Sequence, residues 1–235
     1  LGFYAQDDLK LRSNFNVNIG LRYEIMTIPQ EVSGRGAAIR DIQHDAAPTL
    51  GAAYFGRNPT LRNFGPRIGL AWDVKGDGKT AVRAGFGLLY DIGNLGSAMS
   101  IETTGNPPFS TQSTLTTPAT YTVPFTFPAS AIAKSVRTTD YYLQQPHMLQ
   151  YNMAIERQLP MNMALTVAYA GSRGINLLQD KDGNPGVPVV LPDGKLFWIA
   201  TSAVNPLGAP RTNPNWQQAE FNTAAGNSWY NSLQV

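Results

Sequence analysis

The chain contains segments in which apolar and polar residues alternate strictly. In residues 16–25 every even position is polar, charged or glycine, and every odd position is apolar. The odd positions are Val17, Ile19, Leu21, Tyr23 and Ile25. A period of two places the two sets on opposite faces of a β-strand. The sequence therefore predicts a strand with one apolar face and one polar or small face.

Six further segments show the same alternation. They are residues 3–11, 66–74, 80–90, 150–158, 162–172 and 228–235, and the first and last are the weakest copies. Each predicted strand has about nine to eleven usable residues, which is enough to cross a bilayer when the strand is tilted by about 45°. The pattern thus predicts seven strands of membrane-crossing length.

The connections between these strands alternate between short and long. Residues 12–14, 75–79 and 159–161 form the short ones, whereas residues 29–63, 91–145 and 174–227 form the long ones. Short periplasmic turns and long extracellular loops are typical of outer-membrane β-barrels. We therefore predict an all-β, antiparallel up-and-down transmembrane barrel segment with long extracellular loops. Within the third loop, residues 187–191 and 196–199 predict a small hairpin, whereas the Thr- and Pro-rich residues 111–128 predict strand-poor chain.

Aromatic residues fall near the ends of the predicted strands. Those assigned to the membrane interface are Phe3, Tyr4, Tyr23, Trp72, Tyr90, Tyr151, Tyr169, Trp229 and Tyr230. All but Trp72 are near the long-loop end, as expected for an aromatic girdle. The alternative is that these aromatics pack in a soluble β core, but that alternative does not predict a common end.

Charged and aromatic residues provide two further candidate sets. Charges on the polar faces of the strands are expected to line the lumen and hold a plug: Arg22, Glu24, Arg67, Asp73, Arg83 and Glu156. Exposed loop aromatics and Arg are common binding anchors, so the candidate ligand contacts are Tyr54, Phe55, Arg57, Tyr121, Tyr141, Tyr142 and Trp198.

Composition agrees with a transmembrane barrel. Charged residues make up 14% of the chain, below the roughly 25% of soluble domains, and 43% is hydrophobic without a long apolar run. The net charge of +2 is not gathered in a basic cluster, so no nucleic-acid partner is expected. Cysteine is absent, which excludes disulfides and thiolate chemistry within these residues.

The motifs of catalysis and metal binding are not found. His44 and His147 are far apart in sequence and both are expected in loops. Residues 180–184 have carboxylates at calcium-loop spacing but depart from the EF-hand pattern, so a turn is expected there. We therefore expect no enzyme, no cofactor and no metal site.

Several phrases resemble a known family in the same order. Phe3-Tyr4-Ala5-Gln6-Asp7-Asp8 and Gly20-Leu21-Arg22-Tyr23-Glu24 are followed by Gly76-Asp77-Gly78-Lys79-Thr80, Glu156-Arg157-Gln158-Leu159-Pro160 and Tyr169-Ala170-Gly171-Ser172-Arg173-Gly174. These look like the barrel of TonB-dependent outer-membrane transporters of the Oar-like, acidobacterial group. The resemblance implies a barrel of about 22 strands around a plug, a TonB box and, often, a carboxypeptidase-regulatory-like domain.

Seven strands cannot close a barrel, since the smallest have eight. Residues 1–235 are therefore expected to be one part of a barrel domain, with an export signal, plug and TonB box upstream and further strands after Val235. The expected partners are outer-membrane lipid, the plug of the same protein, the TonB complex and an extracellular ligand. The leading hypothesis is energy-coupled uptake of a scarce, bulky ligand such as a siderophore, oligosaccharide or peptide. The alternatives are a secreted carbohydrate-binding module or adhesin and a passive porin.

Overall fold

The computed structural model describes residues 1–92, 96, 100, 104, 112–115, 124, 132–202, 204–205 and 207–235. Thirteen strands are found there: β1 Gly2–Arg12, β2 Phe15–Glu24, β3 Ala37–Ala38, β4 Thr49–Leu50, β5 Phe64–Asp73, β6 Thr80–Tyr90, β7 Gln112–Leu115, β8 Ile132–Thr139, β9 His147–Gln158, β10 Ala164–Asp182, β11 Val189–Val190, β12 Leu196–Phe197 and β13 Ala219–Gln234. A 3₁₀ turn, Pro59–Arg62, precedes β5. No helix among the described residues is long and apolar enough to span a membrane.

Seven long strands form an antiparallel meander in the order β1-β2-β5-β6-β9-β10-β13, which we call the wall. The register aligns the apolar rows of neighbouring strands. Ile19 of β2 lies opposite Ile68 of β5, Ile68 lies opposite Phe86 of β6, and Phe86 lies opposite Tyr151 of β9. Residues directly opposite in a sheet share a face. The wall therefore has one apolar face and one polar face, as the alternation predicts.

Tight turns join the wall strands at one end. Gly76 and Gly78 adopt φ of 71° between β5 and β6, and Met161 and Asn162 have φ of 62° and 57° between β9 and β10. Positive φ at both central residues matches the right-handed twist of a hairpin. The backbone N–H of Leu159 donates to the carbonyl of Met163 at 2.8 Å and closes the second turn. The all-β, mainly antiparallel fold is thus confirmed.

Three long connections leave the opposite end of the wall. Loop 1 comprises residues 25–63, loop 2 residues 91–146 and loop 3 residues 183–218. In loop 3, Val189 pairs with Phe197 and Val190 with Leu196, so the predicted small hairpin is confirmed. The expectation of strand-poor chain in residues 111–128 is wrong in part, because Gln112–Leu115 forms β7.

The sheet has two strands more than the meander. Strand β8 of loop 2 pairs with β7 and also, in parallel, with the first residues of β13, where Ala219 lies opposite Val136. Loop 2 therefore reaches past β9 and β10 to the far side of the wall. Alternation within β8 cannot reveal this pairing, because its partner is more than 80 residues away in sequence.

Strands β10 and β13 extend well beyond the other strands. They pair from Ala168 opposite Gln234 to Asp182 opposite Glu220, with register shifts near Leu177 where Asn176 has φ of 55°. The predicted third loop of residues 174–227 is thus too long at both ends, and the turn expected at 180–184 begins only after Asp182. The bulge interrupts the alternation and explains the error.

The loops contain the buried core of the described structure. One cluster joins Tyr54 and Phe55 of loop 1 to Leu143 of loop 2 and Ala224 of β13. A second consists of Ile39, Ile42, Val136, Trp216 and Ala219, and Phe221 packs against it. The three loops and the extended ends of β10 and β13 thus pack as one unit, which we call the loop assembly.

Candidate functional site

The polar face of the wall carries all six charges assigned to the lumen. The register places Arg22 opposite Gly65, Gly20 opposite Arg67, and Glu156 opposite Ala81. Glycine and alanine opposite long charged side chains leave room for them on this face. The complete set is Arg22, Glu24, Arg67, Asp73, Arg83 and Glu156.

Two ion pairs occur on this face. Arg22 contacts Glu24 of the same strand, and Arg83 of β6 lies 3.6 Å from Glu156 of β9. Asp73 instead accepts hydrogen bonds from the backbone N–H of Gly76 at 3.0 Å and of Gly78 at 2.8 Å. Its carboxylate stabilises the tight turn after β5, so Asp73 is not available for ion pairs with the other charges of the polar face.

Seven of the nine aromatics assigned to the interface lie on the apolar face. Tyr4 and Tyr230 do not, because they pair with Arg22 and Ser172 of the polar face. Their neighbours Phe3 and Trp229 occupy the apolar rows, and adjacent residues of a strand point to opposite sides. Including Tyr4 and Tyr230 in an outward girdle is therefore wrong.

The apolar-face aromatics form contacts at both ends of the wall. At the long-loop end, Tyr23 stacks on Phe64 with ring centroids 4.5 Å apart, and its hydroxyl donates to the carbonyl of Leu61 at 3.3 Å. At the short-turn end, Phe15 meets Trp72 edge to face at 6.4 Å. The sequence interpretation did not include Phe15, although its place just after a turn and in the row of Val17 could have revealed it.

A third aromatic pair covers a glycine. The rings of Tyr151 and Tyr169 are 6.2 Å apart, and both hydroxyls reach Oδ1 of Asn231, at 3.2 Å and 2.5 Å. A Cβ on Gly171 would collide with the Tyr151 ring. Gly171 therefore provides the space in which this cross-strand cluster packs.

The candidate ligand contacts in the loops have different surroundings. Tyr54 and Phe55 are only 4% and 2% exposed, so the expectation that they are exposed loop aromatics is wrong: they pack in the core of the loop assembly. Arg57 and Tyr142 lie together, since Nη2 of Arg57 donates to the carbonyl of Tyr142 at 3.3 Å. Tyr121 lies outside the described residues.

Tyr141 and Trp198 complete the set. Tyr141 packs edge to face on Tyr142 at 5.1 Å, and Arg40 stands over the Tyr141 ring at 5.7 Å. Trp198 is 53% exposed on the small hairpin of loop 3 and donates from Nε1 to the carbonyl of Gly186 at 3.0 Å. The structure therefore brings Arg57, Tyr141 and Tyr142 into one region, and Trp198 lies on a separate element.

Hydrogen bonds of two buried asparagines link loop 3 to loop 1. Nδ2 of Asn184 lies 2.9 Å from the carbonyls of Asn213 and Trp216, and its Oδ1 accepts from the backbone N–H of Asn213 at 2.7 Å. Nδ2 of Asn213 in turn donates to the carbonyls of Ile42 and Asp45 at 3.0 and 2.8 Å. No local pattern identifies these residues, because their partners are distant in sequence.

Charged groups of the loops are also paired. The hydrogen bond that the Arg137 guanidinium donates to Glu220 raises the pKa of Arg137. In loop 1, the hydrogen bond between Nδ1 of His44 and Asp41 lowers the pKa of the Asp41 carboxyl. No group of three or more His, Cys, Asp or Glu in the described part of the chain is placed to hold a metal ion.

A cleft of about 380 Å³ opens where loops 1 and 2 meet the wall. It lies between residues 57–63, the end of β6 at Tyr90, residues 143–147 and Asn176. His147 lines it as the first residue of β9, not as a loop residue as expected. Another groove, along Ala5, Leu9 and Ile19, follows the apolar face of the wall.

The family model described as "Outer membrane beta barrel domain" matches residues 1–235, the whole chain. The chain belongs to this family. As an outer-membrane β-barrel domain it is integral to the membrane, and its apolar face is the surface that meets lipid. An integral location is inconsistent with a secreted binding module. The short turns are accordingly periplasmic and the loop assembly is extracellular.

No curated protein matches this barrel domain. Among solved structures it is similar to the siderophore receptor PirA from Pseudomonas aeruginosa, with 13% sequence identity and a TM-score of 0.42. The match covers 99% of this chain and 29% of the receptor chain. The domain therefore spans less than a third of that receptor.

Proposed function

We propose that the barrel domain belongs to a TonB-dependent receptor that takes up a scarce, bulky ligand through energy-coupled movement of a plug. The observation that carries the proposal is the loop assembly. Its two cores and the hydrogen bonds of Asn213 hold the three loops together at the long-loop end of the wall before any ligand binds. A surface that is ordered before the ligand arrives loses less entropy on binding.

The polar face of the wall fits the same role. Its paired and unpaired charges would line the lumen and contact a plug, which occupies the interior of large outer-membrane transporter barrels. The motif order in the sequence, which resembles Oar-like transporters, supports the coupling to TonB. We propose transport and no enzymatic activity for this domain, with ligand captured by the loops.

Energy dependence separates the proposal from a passive porin. Cells that express the full-length protein would be given three radiolabelled probes, a ferric hydroxamate, a maltooligosaccharide and an oligopeptide, with and without functional TonB. We expect uptake of at least one probe to require TonB. Arabinose serves as the control for an open pore. Entry of arabinose that depends on this protein and not on TonB would contradict the proposal and favour the porin.

A further inference from the structure

We propose that the cleft between loops 1 and 2 binds an anionic group in which a hydroxyl accompanies a carboxylate, the chemistry of a hydroxycarboxylate or an acidic sugar, either free or as part of a larger ligand. The cleft has the size of a small-molecule site, at about 380 Å³. The proposal adds the ligand chemistry of the loop assembly to the proposed function, and it rests on that function for what happens to the ligand after it has bound. Binding itself requires no transport.

Two buried polar atoms at the cleft have no partner. Asn63 is 1% exposed and Gln145 is 8% exposed, yet within the described part of the chain Nδ2 of Asn63 and Oε1 of Gln145 form no hydrogen bond. Such groups are rare in folded proteins, because each forfeits its hydrogen bonds to water without replacement. One is a donor and the other an acceptor. A ligand that satisfies both must offer an acceptor and a donor, as a carboxylate with a hydroxyl does.

The orientation of Gln145 is determined by its neighbours. Its Nε2 donates to the carbonyl of Asp91 at 2.5 Å and to that of Pro146 at 3.2 Å. Both partners are acceptors, so the amide nitrogen must face them and the oxygen is left without a donor. Nδ1 of His147 lies 3.1 Å from the backbone carbonyl of Gln145. That carbonyl is an acceptor, so Nδ1 carries a proton.

The charge of the cleft favours an anion. Arg57 and Arg62 line it and form no ion pair with any described residue, and no described Asp or Glu lines it. Among the described residues, Arg57 donates one hydrogen bond, to the carbonyl of Tyr142, and most of its donors are left for a ligand. Guanidinium groups match carboxylates well because both are planar and can pair through two hydrogen bonds.

The segment that carries these groups is held in place before any ligand binds. Asn58 accepts from the backbone N–H of Thr60 at 2.9 Å and donates to the carbonyl of Met26 at 2.8 Å. The hydroxyl of Thr60 donates to the same carbonyl at 3.0 Å. The 3₁₀ turn is therefore anchored to the chain that leaves β2, and little loop ordering is needed on binding.

Calorimetry on the purified full-length protein in detergent would test this inference with two matched probes. Citrate carries three carboxylates and a hydroxyl, whereas tricarballylate carries the same three carboxylates without the hydroxyl. We expect citrate to bind and tricarballylate to bind at least about tenfold more weakly, because Oε1 of Gln145 would lose its donor. Equal binding of citrate, tricarballylate and sulfate would overturn the proposal by showing a general anion surface. Absence of citrate binding would overturn it as well.

Variants assign the binding to the cleft. The double variant R57Q/R62Q is expected to weaken citrate at least about tenfold, since two charge-assisted contacts are removed. R35Q makes the same type of change at an exposed arginine of loop 1 outside the cleft and should bind citrate like the wild type. N63L should also lose binding while the protein still folds, as judged by its heat-modifiable migration on gels. Unchanged binding in both R57Q/R62Q and N63L would place the site elsewhere and contradict the proposal.

The test separates this inference from the proposed function. Citrate binding in a protein whose probes enter without TonB would support the cleft and contradict energy-coupled uptake. TonB-dependent uptake in a protein that binds no citrate would contradict the cleft and leave the transporter proposal standing.

Discussion

The wall and the loop assembly differ in how far their apolar side chains are buried. In the part of the wall that crosses the membrane, Ile19, Ile68 and Met153 remain 46–49% exposed in the isolated chain, and the only buried residues among those described there are glycines. In the loop assembly, Phe55, Val136 and Trp216 are at most 8% exposed. The wall thus relies on lipid and on the rest of the barrel to cover its faces. The loop assembly has a core like that of a small soluble domain, so the two regions should respond differently to the same kind of mutation.

Removing a core side chain of the loop assembly should have the largest effect. Trp216→Ala would cost about 3–5 kcal/mol of loop-assembly stability, because it leaves a cavity and also removes the hydrogen bond from Nε1 to the carbonyl of Asp45 at 2.8 Å. Limited proteolysis should then cut the loops while the barrel stays heat-modifiable on gels. Trp198→Ala, at an exposed tryptophan, is the control and should leave the loops resistant. Loss of the barrel together with the loops would show that the regions are not separate.

A charge on the apolar face should affect the wall and leave the loops intact. Ile19→Arg, near the middle of β2, is expected to cost about 2–4 kcal/mol when the barrel folds into lipid vesicles. Asn18→Arg is the matched control on the polar face, where the new guanidinium can still pair with Asp8, the present partner of Asn18. Urea titration of both variants would measure the difference. Equal costs would mean that the two faces see the same environment.

The aromatic cluster over Gly171 offers a smaller and local test. Gly171→Val should cost about 1–3 kcal/mol because the new side chain overlaps the Tyr151 ring. In a Tyr151→Ala background the same change should cost less, since the ring is gone. A double-mutant cycle in vesicles measures this coupling. Additive effects would show that the ring and the glycine do not contact each other in the folded barrel.

The smallest effect concerns acid pH in loop 1. The pKa of Asp41 is lowered below its ordinary value of 3.8, chiefly by the hydrogen bond with His44. The ionised carboxylate therefore stabilises the fold above the unfolded pKa, and this contribution is lost as the pH falls through the lower folded pKa. Nε1 of Trp216 donates to the carbonyl of Asp45, which lies in the same turn as Asp41. The fluorescence of Trp216 should therefore report loosening of that turn in acid. Asp41→Asn should lack this component, and an identical acid transition in that variant would assign it to other carboxylates.

The same contrast explains what the sequence could predict. Alternation gives the strands of the wall, because each residue of β2 faces either lipid or the polar side and its type follows from that face. The alternation fails to predict the strand where β10 passes the bulge at Asn176. Beyond the membrane the two faces of a strand no longer have different surroundings, so residue type no longer follows from the face.

The loop assembly required the structure. Burial of Tyr54 and Phe55 depends on Leu143 and Ala224, which are distant in sequence, so their type alone suggested exposed anchors. The roles of Asn184 and Gln145 likewise depend on carbonyl groups from other loops. Arg57 was named from its residue type and its place in a loop, and its role as a ligand contact stays a prediction.

The central claim is that the apolar face of the wall meets lipid while the opposite face does not. Single cysteines at positions 16–23 of the full-length protein, which is free of competing thiols in this domain, would carry spin labels in proteoliposomes. The account predicts that oxygen accessibility alternates with a period of two and is highest at positions 17, 19 and 21. Uniform accessibility along the strand, or maxima at positions 18, 20 and 22, would contradict it.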